Sequence, residues 1–260
     1  MSEHETVIVR ESPAKYITTL RINRPDAQNA FNFELLDSLE THLLDLQSSN
    51  IRALILTGTG GVFCSGADLK LIADFSPAEA RAFSLRGHEV LQLIERFPAP
   101  VIAAVNGYAL GGGCELACAC DLRYTGESAK WGQPEAKVGM ITGWGGTFRL
   151  PRIIGVARAK ELIFTAKMID ARVAREIGLV NEVFPDEELR NKTEEIAGKI
   201  ARNAPIANQL SKRMLNRYWG DTEALRTEES LALSFCVTTE DQSEGVNAFL
   251  EKRSPEFRNH

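Results

Sequence analysis

Two short apolar segments, each followed by a glycine-rich turn, constrain the fold of this chain more than any other feature. Residues 52–57 (RALILT) run into Gly58, and residues 101–105 (VIAAV) run into Gly107. Short continuous apolar runs that end in turn residues are typical of buried strands. A helical pattern follows each turn. The order strand, glycine turn, helix therefore predicts an α/β fold with ligands at the strand ends.

The remaining elements are predicted from periodicity and capping residues. Strands are expected at residues 6–10 and 16–23, separated by Ser12-Pro13. Asn32 is a plausible N-cap for a helix with one apolar stripe, formed by Leu36, Leu39, Leu43 and Leu46. A long helix is predicted at residues 77–97. After about Pro185 the chain becomes helical, with helices predicted near residues 189–200, 205–218 and 221–237.

Composition and charge exclude several classes of function. The 260 residues carry a net charge of −5, which disfavours nucleic acid as a partner. The odd number of cysteines, five, does not resemble an extracellular disulfide framework. The acidic first residues are unlike a targeting peptide, and no apolar run approaches the roughly 20 residues of a membrane span. We therefore expect a cytoplasmic protein that does not associate with membranes.

The first segment of chemical interest is VFCSGADLK, at residues 62–70. Gly66 permits a backbone geometry that other residues resist, and Ala67 follows it at a predicted helix start. Unpaired N–H groups at such a start attract negative charge. An ordinary strand-to-helix turn would explain the same pattern.

The second segment is NGYALGGGCELACACD, at residues 106–121, where three glycines precede a helix. Glu115 falls in the first turn of that helix beside apolar residues, which can raise the proton affinity of a carboxylate. It would equally complement the helix dipole. The glycines lack the G-x-G-x-x-G spacing of a dinucleotide site.

The third segment is WGQPEAKVGMITGWGGTFRL, at residues 131–150, and it contains Glu135. Alone, Glu135 has the pattern of a solvated loop residue. Together the three segments predict a coherent chemistry, because two carboxylates can serve as acid and base while two helix N-termini hold a carbonyl oxygen. Addition of water to a double bond conjugated to a thioester needs this set of groups.

At these segments the sequence resembles the crotonase family, also called the enoyl-CoA hydratase/isomerase superfamily. The resemblance covers nearly the whole chain, through LRINRPDAQNA, SGADLK, NGYALGGGCELA, GQPE, GGTFRLPRIIG, AREIGLVNEVFP and EGVNAFLEKRSPEF. It implies a spiral of strand-strand-helix units at residues 1–195, which hold the active site. It also implies a C-terminal helical region at residues 196–260 that assembles the chain into homotrimers or homohexamers.

By position, the resemblance implies a role for each matching residue. Glu115 and Glu135 match the catalytic pair of the hydratases, a lyase activity of fatty acid metabolism, and the N–H groups of Ala67 and Gly112 match the oxyanion hole. The implied substrate-binding residues are Ala67, Asp68, Leu69, Lys70, Gly112, Gly143, Trp144 and Lys252. No separate cofactor and no metal are implied, because coenzyme A is part of the substrate.

The sequence departs from the family pattern at Thr142 and Trp144, where the family commonly has Pro and a small residue. Trp144 would narrow or reshape the acyl pocket. Three other interpretations stay open: an enoyl-CoA isomerase, a non-catalytic binding protein on this fold, and a metal site at Cys114, Cys118 and Cys120. Small buried packing residues explain the cysteines more simply. The four histidines lie outside the three segments, which disfavours a Ser/His or Cys/His nucleophile.

Overall fold

The computed structural model describes residues 6–203, 205–217, 230–231, 233–234, 237–253 and 255. Within these residues the strands are, in chain order, β1 (Ile8–Ala14), β2 (Ile17–Ile22), β3 (Ala53–Gly58), β4 (Val62–Cys64), β5 (Val101–Val105), β6 (Tyr108–Leu110), β7 (Leu122–Gly126), β8 (Lys130–Gly132), β9 (Met168–Asp170) and β10 (Glu182–Phe184). They form two sheets. The larger has the order β1-β2-β3-β5-β7-β10, and the smaller has the order β4-β6-β8-β9.

The helices of the described residues are α1 (Phe33–Gln47), α2 (Leu69–Ile72), α3 (Pro77–Arg96), α4 (Gly112–Ala119), α5 (Arg149–Ile154), α6 (Val156–Thr165), α7 (Ala171–Glu176), α8 (Leu189–Ala201), α9 (Pro205–Arg217) and α10 (Glu240–Leu250). Two short 3-10 helices lie at Pro25–Ala27 and Glu135–Val138. The predicted boundary between residues 195 and 196 falls within α8.

The chain repeats one unit, in which a strand of the larger sheet leads to a strand of the smaller sheet and then to a helix. β3, β4 and α2 make one unit, and β5, β6 and α4 make the next. The corresponding strands of successive units pair in parallel within each sheet. The predicted α/β spiral of strand-strand-helix units is therefore confirmed. In each unit a turn joins the strand of the smaller sheet to the helix.

The central strands β3 and β5 are almost wholly apolar because the larger sheet is covered on both faces. In β3, Leu54 and Leu56 join the main core with the leucine stripe of α1, while Ala53 and Ile55 face a second cluster that includes Ala197 of α8. Side chains alternate between the two faces of a strand, so burial on both faces requires a continuous apolar run. The predicted buried strands at residues 52–57 and 101–105 are confirmed, with β3 beginning and ending one residue later than expected.

Local capping fixes the ends of the helices around the core. The Asn32 side chain accepts a hydrogen bond from the Leu35 N–H at 2.9 Å, which confirms the predicted N-cap of α1. Ser76 and Glu79 form a reciprocal capping box at the start of α3. This helix ends at Arg96, close to the predicted end at residue 97.

β1 does not stop before Ser12-Pro13 but continues to Ala14, and the turn lies at Tyr16, whose φ is 69°. Proline is tolerated there because β1 is the edge strand and its register shifts between Glu11 and Ala14. The helix predicted at residues 221–237 falls mostly outside the described residues.

No helix in the described part of the chain is long and apolar enough to cross a membrane.

Candidate active site

Two turns, one before α2 and one before α4, lie against each other. Gly66 has a φ of 110°, a conformation that favours glycine, and a Cβ added there would lie 3.4 Å from the Gly112 nitrogen. Ala67 is held by a parallel bridge to Phe31, whose N–H donates to the Gly66 carbonyl at 2.8 Å. The structure therefore brings Ala67 and Gly112 together from segments that are 45 residues apart.

The N–H groups of Ala67 and Gly112 can serve as hydrogen-bond donors to the same ligand. Gly112 is the first residue of α4, so its N–H lies beyond the helical hydrogen-bond ladder. Ala67 comes one residue before Asp68, the N-cap of α2, rather than at the helix start itself. Neither N–H donates a hydrogen bond to any described residue. A pair of adjacent donors of this kind can bind one oxygen that carries negative charge.

Glu115 lies in the first turn of α4 and is fully buried, with 1% of its surface exposed. Its Oε1 accepts hydrogen bonds from the Thr142 hydroxyl, from the Trp144 N–H at 2.8 Å and from the Gly146 N–H at 2.7 Å. A buried carboxylate is costly unless such donors compensate it. The loop at residues 142–146 thus holds this carboxylate in a fixed position.

Glu135 is the first residue of the 3-10 helix Glu135–Val138 and is half-buried. Its Oε1 lies 3.0 Å from the point that a Cβ on Gly111 would occupy, so the carboxylate lies against the turn that leads into α4. With its amide group turned toward this carboxylate, Gln133 donates to Oε1 at 2.9 Å. Both predicted carboxylates therefore lie at the start of α4, beside Gly112.

Gly143 and Trp144 lie in the loop that holds Glu115. The Gly143 carbonyl accepts a hydrogen bond from the Ser84 hydroxyl at 2.7 Å, which joins this loop to α3. The Trp144 side chain is buried, with 3% exposed, and packs against Phe31 and Phe83 at ring-centroid distances of 5.0 and 5.2 Å. Trp144 therefore contributes its N–H to the Glu115 site and its ring to the core.

The other predicted binding residues occupy the rim or lie further away. Asp68 caps α2 through the Lys70 N–H at 3.2 Å and lies 3.4 Å from the Arg24 guanidinium. Leu69 packs against the core, whereas Lys70 is exposed. Lys252 is exposed in the turn after α10, and no hydrogen bond or ion pair links it to the other predicted site residues in the described part of the chain.

Sequence reasoning missed the residues that support the two glutamates. Thr142 was noted only as a departure from the family pattern, and Gln133 was not identified. Arg149 is buried with 3% exposed; it pairs with Glu95 at 2.7 Å and donates to the Trp144 carbonyl at 2.6 Å. The available signal was the position of these residues within the third glycine-containing segment. Gln133 has its partner Glu135 two residues away, but Glu115 lies 27 residues from Thr142 and Glu95 lies 54 residues from Arg149.

The cysteines serve the core around α4. Cys64, Cys114, Cys118 and Cys120 are buried free thiols, and burial raises the pKa of Cys64 to about 12. Among the residues that the structure describes, no group of three or more His, Cys, Asp or Glu side chains is arranged to hold a metal. Cys236 lies outside the described residues.

Comparisons with known proteins agree on one family. The family described as "Enoyl-CoA hydratase/isomerase" matches residues 13–260. The chain is 43% identical to the short-chain-enoyl-CoA hydratase of Clostridium acetobutylicum over 100% of both chains, and 42% identical to the crotonyl-CoA hydratase of Syntrophomonas wolfei over 98% of both. Its structure is similar to that of an enoyl-CoA hydratase from Bacillus anthracis, with a TM-score of 0.80, 40% identity and coverage of 98% of this chain and 100% of the other.

Proposed function

The chain is an enzyme that belongs to the enoyl-CoA hydratase/isomerase family, and from this membership we propose that it reversibly hydrates trans-2-enoyl-CoA thioesters to 3-hydroxyacyl-CoA. The observation that carries the proposal is the arrangement at the start of α4. Two carboxylates, Glu115 and Glu135, lie beside two adjacent N–H groups that no described residue uses. This set of groups matches the needs of a conjugate addition of water.

The Ala67 and Gly112 N–H groups bind the thioester carbonyl oxygen. As water adds at C3, the electron pair of the C2–C3 double bond moves toward the carbonyl, and that oxygen gains negative charge. Preorganised donors in a water-poor site stabilise this charge more in the transition state than in the ground state. The close approach of Gly66, the residue before Ala67, to Gly112 supports the assignment, because it places the two segments that carry the donors side by side.

Glu115 and Glu135 carry out the two proton transfers of the reaction, one from the water and one to C2. The second hydrogen of the water stays on the new hydroxyl group, and proton exchange afterwards returns both carboxyl groups to their starting states. Glu115, as a carboxylate, removes a proton from water while the water oxygen forms its bond to C3. Glu135, as a carboxylic acid, donates a proton to C2 when the enolate collapses to the thioester. The fixed position of Glu115, held by Thr142, Trp144 and Gly146, supports its role as the group that orients the water.

The coenzyme A portion of the substrate binds at the rim, along Ala67, Asp68, Leu69 and Lys70. Lys70 is exposed, carries a positive charge and follows Ala67 by three residues. A cation there attracts the phosphates of coenzyme A. Lys252 is a second exposed cation that we propose for binding the coenzyme A phosphates. This assignment comes from the family resemblance and not from the position of Lys252 relative to the site. No cofactor besides the substrate's own coenzyme A takes part in the proposed reaction.

The direct test is to add the protein to crotonyl-CoA and follow the loss of absorbance from the conjugated thioester, with product identification by mass. We expect a product heavier by one water. A parallel assay with a 3-enoyl-CoA distinguishes isomerisation, which would create the conjugated absorbance instead. Binding of the thioester without either reaction would favour a non-catalytic role and overturn the proposal.

A further inference from the structure

The indole of Trp144 lies in a slot between α3 and α4 that two glycines leave open. A Cβ added at Gly87 of α3 would lie 2.1 Å from the indole Nε1, and one added at Gly112 would lie 2.7 Å from Cζ3. Real side chains never approach so closely, so any larger residue at either position would have to displace the ring. The slot and the indole therefore match each other in shape.

This slot adjoins the proposed donors for the thioester oxygen. The Cβ that contacts the indole from Gly112 would also lie 3.6 Å from the Gly66 Cα. Gly66 directly precedes Ala67, which carries the other proposed donor. An oxygen bound to the Gly112 N–H lies about 2.9 Å from that nitrogen. The acyl carbons attached to it consequently lie within a few bond lengths of the buried ring.

The ring is held in place by the hydrogen bonds of its own backbone and by the aromatic side chains packed against it. The Trp144 N–H donates to Glu115, and its carbonyl accepts from Arg149, which is bound to Glu95 by two hydrogen bonds of 2.8 and 2.7 Å. At the preceding residue of the loop, Leu233 lies 2.9 Å from the point where a Cβ on Gly143 would be. Phe31 and Phe83 pack against the indole itself.

We infer that Trp144 ends the acyl pocket and restricts the enzyme to short, unbranched enoyl groups of about four carbons. The inference rests on the proposed hydratase function. Close-packed interiors resist the addition of even one methylene, so a longer chain cannot be seated without moving the ring. Trp144 thereby determines specificity, while its N–H separately serves Glu115 through the backbone, which any replacement except proline retains.

The test compares kcat/KM for trans-2-enoyl-CoA thioesters of four and eight carbons in the wild type, Trp144→Ala and Trp144→Leu. Steric selection by one methylene is worth roughly 10-fold or more, so the wild type should favour the shorter substrate by at least about 10-fold. Both variants should reduce this preference by about 10-fold or more. Phe97→Leu, a truncation of another buried ring, is the matched control and should lower stability without changing the preference.

Failure of the inference and failure of the proposed function give different results. A wild type that hydrates both thioesters equally well keeps the function and overturns the role of Trp144. Variants that fold but retain the wild-type preference overturn it also. If Trp144→Ala does not fold, Trp144→Leu and the wild-type preference still decide. A wild type inactive on both thioesters contradicts the proposed function itself.

Discussion

The Trp144 N–H donates to the Glu115 Oε1 at 2.8 Å, although the two residues are 29 positions apart. This hydrogen bond joins the loop between the 3-10 helix Glu135–Val138 and α5 to the first turn of α4. The Thr142 hydroxyl and the Gly146 N–H reach the same oxygen. The loop that we propose ends the acyl pocket thus also fixes the carboxylate proposed to act on water.

Thr142 is the one donor of this set that a substitution other than proline can remove, because the other two belong to the backbone. Thr142→Val keeps the shape and deletes the hydroxyl, which should destabilise the fold by about 1.5–3 kcal/mol, the value of a hydrogen bond to a charged group. As a positioning residue, Thr142 should affect kcat, by about 10-fold or more, rather than KM. Steady-state kinetics measure this split, and Thr142→Ser should restore most of the activity. Unchanged kcat in a folded Thr142→Val protein would contradict the assignment.

Substitutions at Gly112 and Trp144 should have coupled effects on the free energy of unfolding, because a side chain at residue 112 would occupy the space of the indole. Gly112→Ala places a methyl 2.7 Å from the indole and should cost about 1–3 kcal/mol through overpacking. In a Trp144→Leu background the cost should be smaller, since the smaller side chain leaves room. Urea unfolding of the four proteins gives the coupling. Gly198→Ala is the control: nothing lies within 4 Å of that position in α8, so the added methyl should not destabilise. Equal costs in both backgrounds would show that the two residues do not compete for space.

Lys212 of α9 anchors the C-terminal helices to the core. Its Nζ lies 2.7 Å from the Asp121 carboxylate and donates to the Ile94 and Ala99 carbonyls at 2.9 and 3.2 Å. Burial raises the pKa of Asp121 above its usual range, and the charge of Lys212 opposes this rise. Lys212→Met should therefore cost about 3 kcal/mol at neutral pH, because it leaves a buried carboxylate without its partner.

The cost of Lys212→Met should depend on pH in a defined direction. Without Lys212, the pKa of Asp121 in the folded state rises further above its unfolded value. The folded state then binds the proton more tightly, so the stability of the variant falls as pH rises from about 4, near the unfolded pKa, through the folded pKa. Urea midpoints relative to wild type should differ less at the acidic end than at neutral pH. Lys199→Met, which removes an exposed pair with Glu195, should show little change at either pH. A pH-independent deficit for Lys212→Met would contradict this account.

The C-terminal helices should mediate self-association into trimers or hexamers. Several large apolar side chains of this region are exposed in the described part of the chain, namely Leu210, Leu215, Leu231, Phe249 and Leu250. Apolar patches of this kind mark interaction surfaces. Sedimentation should detect an oligomer at micromolar concentration, and Leu215→Glu should weaken it. Leu44→Glu, an equally drastic change at an exposed leucine of α1, should not. A monomeric wild type would refute the expectation.

The sequence predicted features that depend on local patterns. The apolar runs of β3 and β5, the Asn32 cap and the position of Glu115 in the first turn of α4 all follow from residues close together in the chain. The strands of the smaller sheet were not identified, because each has three residues and shows no periodicity. The extension of β1 through Pro13 was also missed, since only the sheet order reveals an edge strand.

The site divides in the same way between local and long-range features. Glu115, Glu135, Ala67 and Gly112 were predicted because their segments have recognisable motifs. The Thr142, Trp144 and Gly146 donors to Glu115 were not, because no local pattern indicates a contact between a loop and a helix about 30 residues away. The pairing of Gly87 with the Trp144 indole is likewise a matter of tertiary packing.

The central claim is that Glu115 and Glu135 carry the two proton transfers of hydration. Its most direct test measures kcat for crotonyl-CoA hydration by Glu115→Gln and Glu135→Gln, with thioester binding measured separately. Each variant should bind the thioester nearly normally and lose roughly 10²–10⁴-fold in kcat, the usual contribution of a positioned acid or base. Glu127→Gln, at an exposed turn between β7 and β8, should retain wild-type kcat. If either active-site variant folds, binds the thioester and hydrates it at the wild-type rate, the two-carboxylate mechanism is contradicted.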